Sequence, residues 1–229
     1  MPARRSSGLP AALLIVAASP LQAAQPLVTD DAAVVAPKTC QIEAWARSMH
    51  DDGESWAQPA CNFAGNLELS VGVAHSREPS SIVQLQAKAL LFPRADGAWS
   101  FGVVAGGARD TGAPHGSSAF QIYYARALAS WYPRSDLEID LNLGATNVYG
   151  SGTSVLAGAA VQYTIVTNVQ LLAETFRDEP GRGKWQVGIR YIVIPDRFEM
   201  YVGYGNRFND SSDHSAIVGV RVQTPAFLP

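Results

Sequence analysis

Beyond residue 38 the sequence alternates strictly between apolar and polar positions. Residues 66–73 read NLELSVGV, residues 137–144 read LEIDLNLG and residues 185–193 read WQVGIRYIV. A period of two is typical of a β-strand with one apolar face and one polar face. No stretch of helical period and useful length follows the first 24 residues. The pattern therefore predicts an all-β protein.

The connections between these segments alternate between short and long. Short turns such as 63–65 and 133–135 are separated by longer, more polar connections such as 110–116 and 178–183. Tight periplasmic turns and longer extracellular loops are typical of outer-membrane barrels. We therefore expect a closed antiparallel transmembrane β-barrel. The alternative is a soluble sandwich or a lipocalin-like barrel, in which the apolar faces point inward.

The turn signals divide the chain into about twelve strands. An even number is expected of a bacterial single-chain barrel, and splitting the region 55–75 at 63–65 provides it. A count of ten, with the second hairpin misread, is the alternative. The predicted strands are 39–50, 55–62, 66–75, 81–92, 98–109, 118–132, 136–148, 153–165, 168–178, 184–194, 198–208 and 214–224.

The first 24 residues have the layout of a cleaved signal peptide. Arg4 and Arg5 precede an apolar run at 9–18, and Ala23 and Ala24 supply small residues before the expected cleavage site. Residues 1–24 are therefore predicted to export the chain to the outer membrane of a Gram-negative cell. The segment 25–38 follows as a periplasmic tail or an inward plug, and 39–229 forms the barrel.

Composition agrees with a lipid-facing barrel. Only 16% of the 229 residues are charged, against roughly 25% in average domains, and there are 20 glycines. Aromatic residues such as Trp99, Trp131 and Trp185 lie near strand ends, as girdles at the two membrane interfaces would. The net charge is −3 and no basic run follows the signal peptide, which argues against nucleic acid as a partner. The expected partners are outer-membrane lipids and a small solute.

If the apolar faces meet lipid, the polar faces line the lumen. Their charges have both signs, which fits either a selective aqueous path or a neutralising network that fills a narrow barrel. Arg126 lies on the apolar parity of its strand, and a bulge, a snorkelling side chain or a register error would each explain it. The residues predicted to set selectivity are Glu68, Lys88, Glu138, Asp140, Glu174, Arg190, Glu199 and Arg221.

The two cysteines lie at the same end of the first predicted hairpin. Cys40 begins the first strand and Cys61 ends the second, so an antiparallel pairing places them opposite each other. In an exported protein with two cysteines, this predicts a disulfide. No histidine lies beside either cysteine, and we expect neither a metal site nor a cofactor.

One pair of residues suggests catalysis. Some outer-membrane barrels hydrolyse lipids with a His and a Ser two positions apart, and His115 and Ser117 have this spacing. The pair lies in a glycine-rich loop, and its parity matches the lumen rather than the lipid. We therefore do not expect an enzyme, and a lipid acyl hydrolase is the least favoured alternative.

The start of the chain resembles a known family. Residues 26–31 (PLVTDD), then 41–43 (QIE) and 66–73 (NLELSVGV), are similar to the opening of the MetA-pathway phenol-degradation family. That resemblance covers roughly residues 26–75 and implies an outer-membrane barrel that transports small, aromatic or hydrophobic compounds. The leading hypothesis is a passive pore or transporter. The alternative is a structural or partner-binding barrel whose lumen is filled.

Overall fold

A computed structural model of the chain describes residues 27–49, 53–76, 81–94, 98–112, 120–179 and 182–228. The predicted signal peptide lies outside the described residues. Within them, no helix is long and apolar enough to cross a membrane. The strands are β1 Cys40–Met49, β2 Gly53–Asn62, β3 Leu67–Ser76, β4 Ser81–Phe92, β5 Trp99–Asp110, β6 Ile122–Arg134, β7 Leu137–Val148, β8 Gly152–Val166, β9 Val169–Glu179, β10 Arg182–Ile194, β11 Phe198–Arg207 and β12 Asp210–Gln223.

Each strand pairs antiparallel with its neighbours in sequence, and β1 pairs with β12 to close the barrel. The predicted closed antiparallel barrel of twelve strands is confirmed. The largest differences from the predicted bounds are in β6, which begins at Ile122, and in β12, which begins at Asp210. The strand β12 starts early because Arg207 and Asp210 pair across a turn in which Asn209 has a left-handed φ of 62°.

The two faces of the wall are inverted relative to those of a soluble barrel. On β3 the outward Leu69 is 47% exposed, whereas the inward Glu68 is 5% exposed. The same alternation recurs on β10, where Val187 and Ile189 are exposed and Gln186 is buried. Apolar side chains outside and polar side chains inside suit a barrel that is surrounded by lipid. A lipocalin-like arrangement would have the opposite polarity.

Aromatic clusters mark the two ends of the outer face. At the end with the short turns, Trp99 stacks on Phe101 and Trp131, with ring centroids 5.9 and 5.6 Å apart. At the opposite end, Trp185 packs against Tyr204 at 6.1 Å. Aromatic rings are favoured at membrane interfaces. The two clusters therefore bracket the apolar belt of the barrel.

The strand β6 departs from the simple rule of apolar outside and polar inside. Its inward positions include Ile122, Tyr124 and Leu128, all of them buried. Arg126 shares this parity and is 4% exposed. It therefore points into the lumen, without a bulge between Ile122 and Trp131. The interpretation of its face as lipid-facing was wrong, because this part of the lumen is itself lined by apolar side chains.

Candidate functional site in the lumen

The eight residues predicted to set selectivity all lie at inward positions of their strands. Glu138 and Arg221 are half-buried, and the rest are buried. They belong to seven different strands, so the barrel brings residues that are distant in sequence around one lumen. The buried members are Glu68, Lys88, Asp140, Glu174, Arg190 and Glu199.

Residues 27–35, here called the N-terminal segment, run inside this lumen. Wall carboxylates accept hydrogen bonds from the segment's backbone. Glu174 accepts from the N–H of Val28 at 2.9 Å and from that of Thr29 at 2.8 Å. Glu68, on a different strand, accepts from the N–H of Val35 at 2.8 Å. Buried backbone donors need such partners, so these two carboxylates define where the segment lies.

Neutral side chains of the wall complete the binding of the segment. The Asn142 amide accepts from the N–H of Asp30 at 2.8 Å and donates to its carbonyl at 2.7 Å. Ser130 accepts from the N–H of Ala32 at 2.9 Å and donates to Asp140 at 2.5 Å. Asp140 thus acts on the segment through Ser130, because it orients the hydroxyl that receives the N–H.

A buried ion pair joins the segment to β4. The ammonium of Lys88 lies 2.8 Å from Asp30 Oδ1 and 3.0 Å from Asp31 Oδ1. Burial by itself would raise the pKa of the Asp31 carboxyl, but the charge of Lys88 and its hydrogen bond outweigh this and hold the pKa below its ordinary value. Two carboxylates of the segment, Asp30 and Asp31, therefore contact the same buried ammonium group of the wall, that of Lys88.

Three further predicted residues, Arg190, Glu199 and Arg221, pair within the wall. Arg190 donates to Gln162 at 2.9 Å and lies 3.6 Å from Glu199. Glu199 also accepts from Arg221 at 2.5 Å. The Glu199 carboxylate thus lies between two guanidinium groups from neighbouring strands, whereas Glu68, Lys88 and Glu174 bind the segment directly. Their role in selectivity stays a prediction.

Sequence reasoning missed an apolar band on the inner wall. Trp45 and Trp56 face inward and stack with ring centroids 5.6 Å apart. They belong to a cluster that takes one residue from each of nine neighbouring strands, from β11 through β12 and β1 to β7. A signal was present, since Trp45 shares the parity of Glu43 and Arg47 in the sequence. We call this cluster the apolar band: Trp45, Trp56, Ala74, Ile82, Ala108, Ile122, Val148, Tyr201 and Ile217.

The other predicted sites are placed as follows. Cys40 and Cys61 pair across β1 and β2 and form a disulfide. His115 and Ser117 lie outside the described residues. Among the residues that the structure describes, no group of three or more His, Cys, Asp or Glu is arranged to hold a metal ion.

Solved structures with the same fold are outer-membrane channels. The KdgM porin has a TM-score of 0.65 at 16% identity, covering 80% of this chain and 98% of its own. The NanC porin has a TM-score of 0.59 at 14% identity, with coverage of 80% and 98%. The COG4313 outer membrane channel from Pseudomonas putida F1 has a TM-score of 0.57 at 9% identity, with coverage of 81% and 95%. At these identities the likeness shows the barrel fold.

Sequence comparison identifies a family rather than an individual relative. No curated protein sequence matches the chain. Residues 11–224 match the model of a family described as uncharacterised conserved protein UCP029691.

Proposed function

We propose that this chain, which belongs to the UCP029691 family, is an outer-membrane channel for small molecules that its own N-terminal segment closes. The observation that carries the proposal is the mode of attachment of the segment. Wall side chains bind its backbone, and its only covalent link to the barrel is the chain leading into β1. A segment bound in this way can leave the lumen without breaking the hydrogen bonds between strands.

Departure of the segment would change the chemistry of the lumen. Glu174, Glu68 and Lys88 would lose their buried partners and face water. The predicted selectivity residues would then line an aqueous path, which is the role that the sequence suggests for them. The closed and open states thus use the same side chains, first as ligands of the segment and then as the lining of the pore.

The location and the solute are part of the proposal. The fold is shared with outer-membrane barrels, and residues 1–24 read as an export signal. The resemblance to the MetA-pathway family favours small aromatic or hydrophobic compounds. One structure with the same fold holds a KdgM porin in complex with disordered oligogalacturonate. We do not assign that solute here, because the lumen carries acidic and basic side chains that neutralise each other.

A second candidate is a structural or partner-binding barrel. It is favoured by the filling of the lumen, since both the N-terminal segment and the apolar band are buried. A barrel of this kind would stay impermeable after the segment is displaced. Hydrolysis of lipids by His115 and Ser117 is the least favoured candidate, and loss of lipid cleavage in Ser117→Ala would be its signature.

The channel is tested by reversing the charges of the segment. In Asp30→Lys/Asp31→Lys, two new lysines face Lys88, and disruption of a buried ion pair costs about 3 kcal/mol or more. The ratio of closed to open barrels should fall about a hundredfold. We expect proteoliposomes with the double variant to swell in salicin, an uncharged aromatic glucoside, much faster than those with the wild type.

The matched control restores the charge pairing. Adding Lys88→Glu to the double variant again places opposite charges across the contact, and swelling should return towards the wild-type rate. If the double variant folds and stays as impermeable to salicin as the wild type, the lumen is filled without the segment and the channel proposal is wrong.

A further inference from the structure

The apolar band surrounds most of the lumen at a level distinct from the N-terminal segment. Along β4 the inward positions run from Lys88, which binds the segment, through Gln86 and Gln84 to Ile82 in the band. This path is roughly 20 Å long at about 3.3 Å per residue. The intermediate layer is polar, since Gln84 donates to the Tyr124 hydroxyl and Tyr124 donates to Gln86, each at 2.8 Å.

The band is closed to water in the described structure. Trp45 is 5% exposed, Trp56 and Ile217 are each 4% exposed, and Ala108 is fully buried. Inward side chains of an open pore would be wet. Because these side chains come from strands around most of the barrel, they cover one another across the lumen rather than lining a gap.

The band is thin where the two tryptophans stand. Along β1, the next inward residue from Trp45 towards the short turns is Glu43. The next inward residue towards the long connections is Arg47. Arg47 lies 3.7 Å from Glu54, which is the next inward residue from Trp56 towards the long connections. Polar layers therefore lie on both sides of the indole pair, and the band is a single apolar barrier between them.

We infer that the apolar band is a second constriction, which excludes ions and admits uncharged solutes with an aromatic or apolar face. The inference rests on the proposed channel function. An ion in a narrow apolar ring loses hydration without gaining a polar partner, whereas hydrophobic constrictions exclude water until they widen. A flat aromatic solute can replace ring–ring contacts of Trp45 and Trp56 with contacts of its own. Trp45 and Trp56 thus determine specificity at a level of the lumen distinct from that of the charged residues that bind the segment.

The test compares ions with uncharged solutes after the segment has been displaced. The starting protein is full-length Asp30→Lys/Asp31→Lys, here called the displaced variant. In planar bilayers with potassium chloride we expect its conductance to stay close to that of the wild type. Proteoliposomes containing it should swell faster in salicin than in methyl β-D-glucoside, although salicin is the larger molecule. A purely steric pore would give the reverse order.

Opening the band should then admit ions. Adding Trp45→Ala/Trp56→Ala to the displaced variant should raise potassium chloride conductance at least about tenfold and abolish the preference for salicin. Ile122→Thr/Ile217→Thr is a second way to wet the band, because it replaces two apolar side chains with smaller β-branched side chains that carry a hydroxyl. The control is Trp99→Ala/Trp131→Ala, which removes an outer-face pair stacked at the same 5.6 Å and should leave ion conductance low. Heat-dependent gel mobility reports whether each variant is folded.

The outcomes separate the two proposals. If the displaced variant already conducts ions as well as the band variants do, or swells faster in methyl β-D-glucoside, the constriction is not selective and this inference is wrong while the channel stands. If folded variants with both changes neither conduct nor swell, the channel proposal itself fails.

Discussion

At the scale of single residues, glycines in the barrel wall make room for the side chains that fill the lumen. Gly106 pairs with Tyr124 across β5 and β6. A Cβ at Gly106 would lie 2.5 Å from the Tyr124 hydroxyl and 2.6 Å from the Leu85 carbonyl oxygen. Tyr124 can therefore lie against the wall and reach both glutamines of β4 only because this position has no side chain.

Gly106→Ala should consequently destabilise the barrel. Overpacking of a tight site costs about 1–3 kcal/mol, and here one of the clashing atoms is a backbone oxygen, which cannot rotate away. The control is Gly72→Ala, where a Cβ would lie 3.3 Å or more from side-chain atoms only. Urea unfolding in lipid vesicles measures both. Equal losses in the two variants would contradict this account.

The sequence shows residue types but not which face of the wall a position occupies when both faces are apolar. Trp45 could be placed inward from its parity with Glu43, whereas Ile122 and Tyr124 could not. An apolar residue in β6 looks the same in the sequence whether it meets lipid or the apolar lining of the lumen. Arg126 is a charged residue in the middle of that face, and in the sequence it suggests an irregularity rather than an inverted face.

At the scale of elements, the first hairpin combines a weak point with a covalent link. Pro59 lies inside β2 and pairs with Ile42 on β1. Towards β3 the pairing passes from Ala57–Val73 to Ala60–Ser70, without paired residues in between. Proline has no N–H to donate, so β2 loses a hydrogen bond on the β3 side. On the β1 side the disulfide Cys40–Cys61 fixes the same strand.

Removal of the disulfide should therefore be costly in this hairpin. The sequence separation is 21 residues, for which loop closure corresponds to ~3 kcal/mol. We expect Cys40→Ser/Cys61→Ser to lower the free energy of unfolding by about this amount. Adding Pro59→Val supplies an N–H donor towards β3 and should recover part of the loss. A cysteine-free variant as stable as the wild type would show that β1 and β12 hold the hairpin without the disulfide.

At the scale of the whole molecule, the sequence predicts the strands of the barrel wall better than the contacts inside the lumen. Lipid outside a barrel imposes a period of two on every strand, so fold class and strand number follow from local patterns. The contacts inside the lumen join residues far apart in the chain, such as Val28 with Glu174. No local pattern records them. The sequence alone consequently predicts either a tail or a plug for the segment 25–38.

A reversible lock on the N-terminal segment tests whether its position controls permeability. Ala32 is fully buried, and its N–H lies 2.9 Å from the Ser130 hydroxyl, so cysteines at these two positions should be able to form a disulfide. The pair is placed in the displaced variant without Cys40 and Cys61, so that no other thiol competes. Oxidised proteoliposomes should stop swelling in salicin and should resume after reduction with dithiothreitol. The single variant Ala32→Cys, in the same background, should not respond to the redox state. If the oxidised barrel swells as fast as the reduced one, salicin passes with the segment still held at Ser130, and the proposal that the segment closes the lumen is wrong.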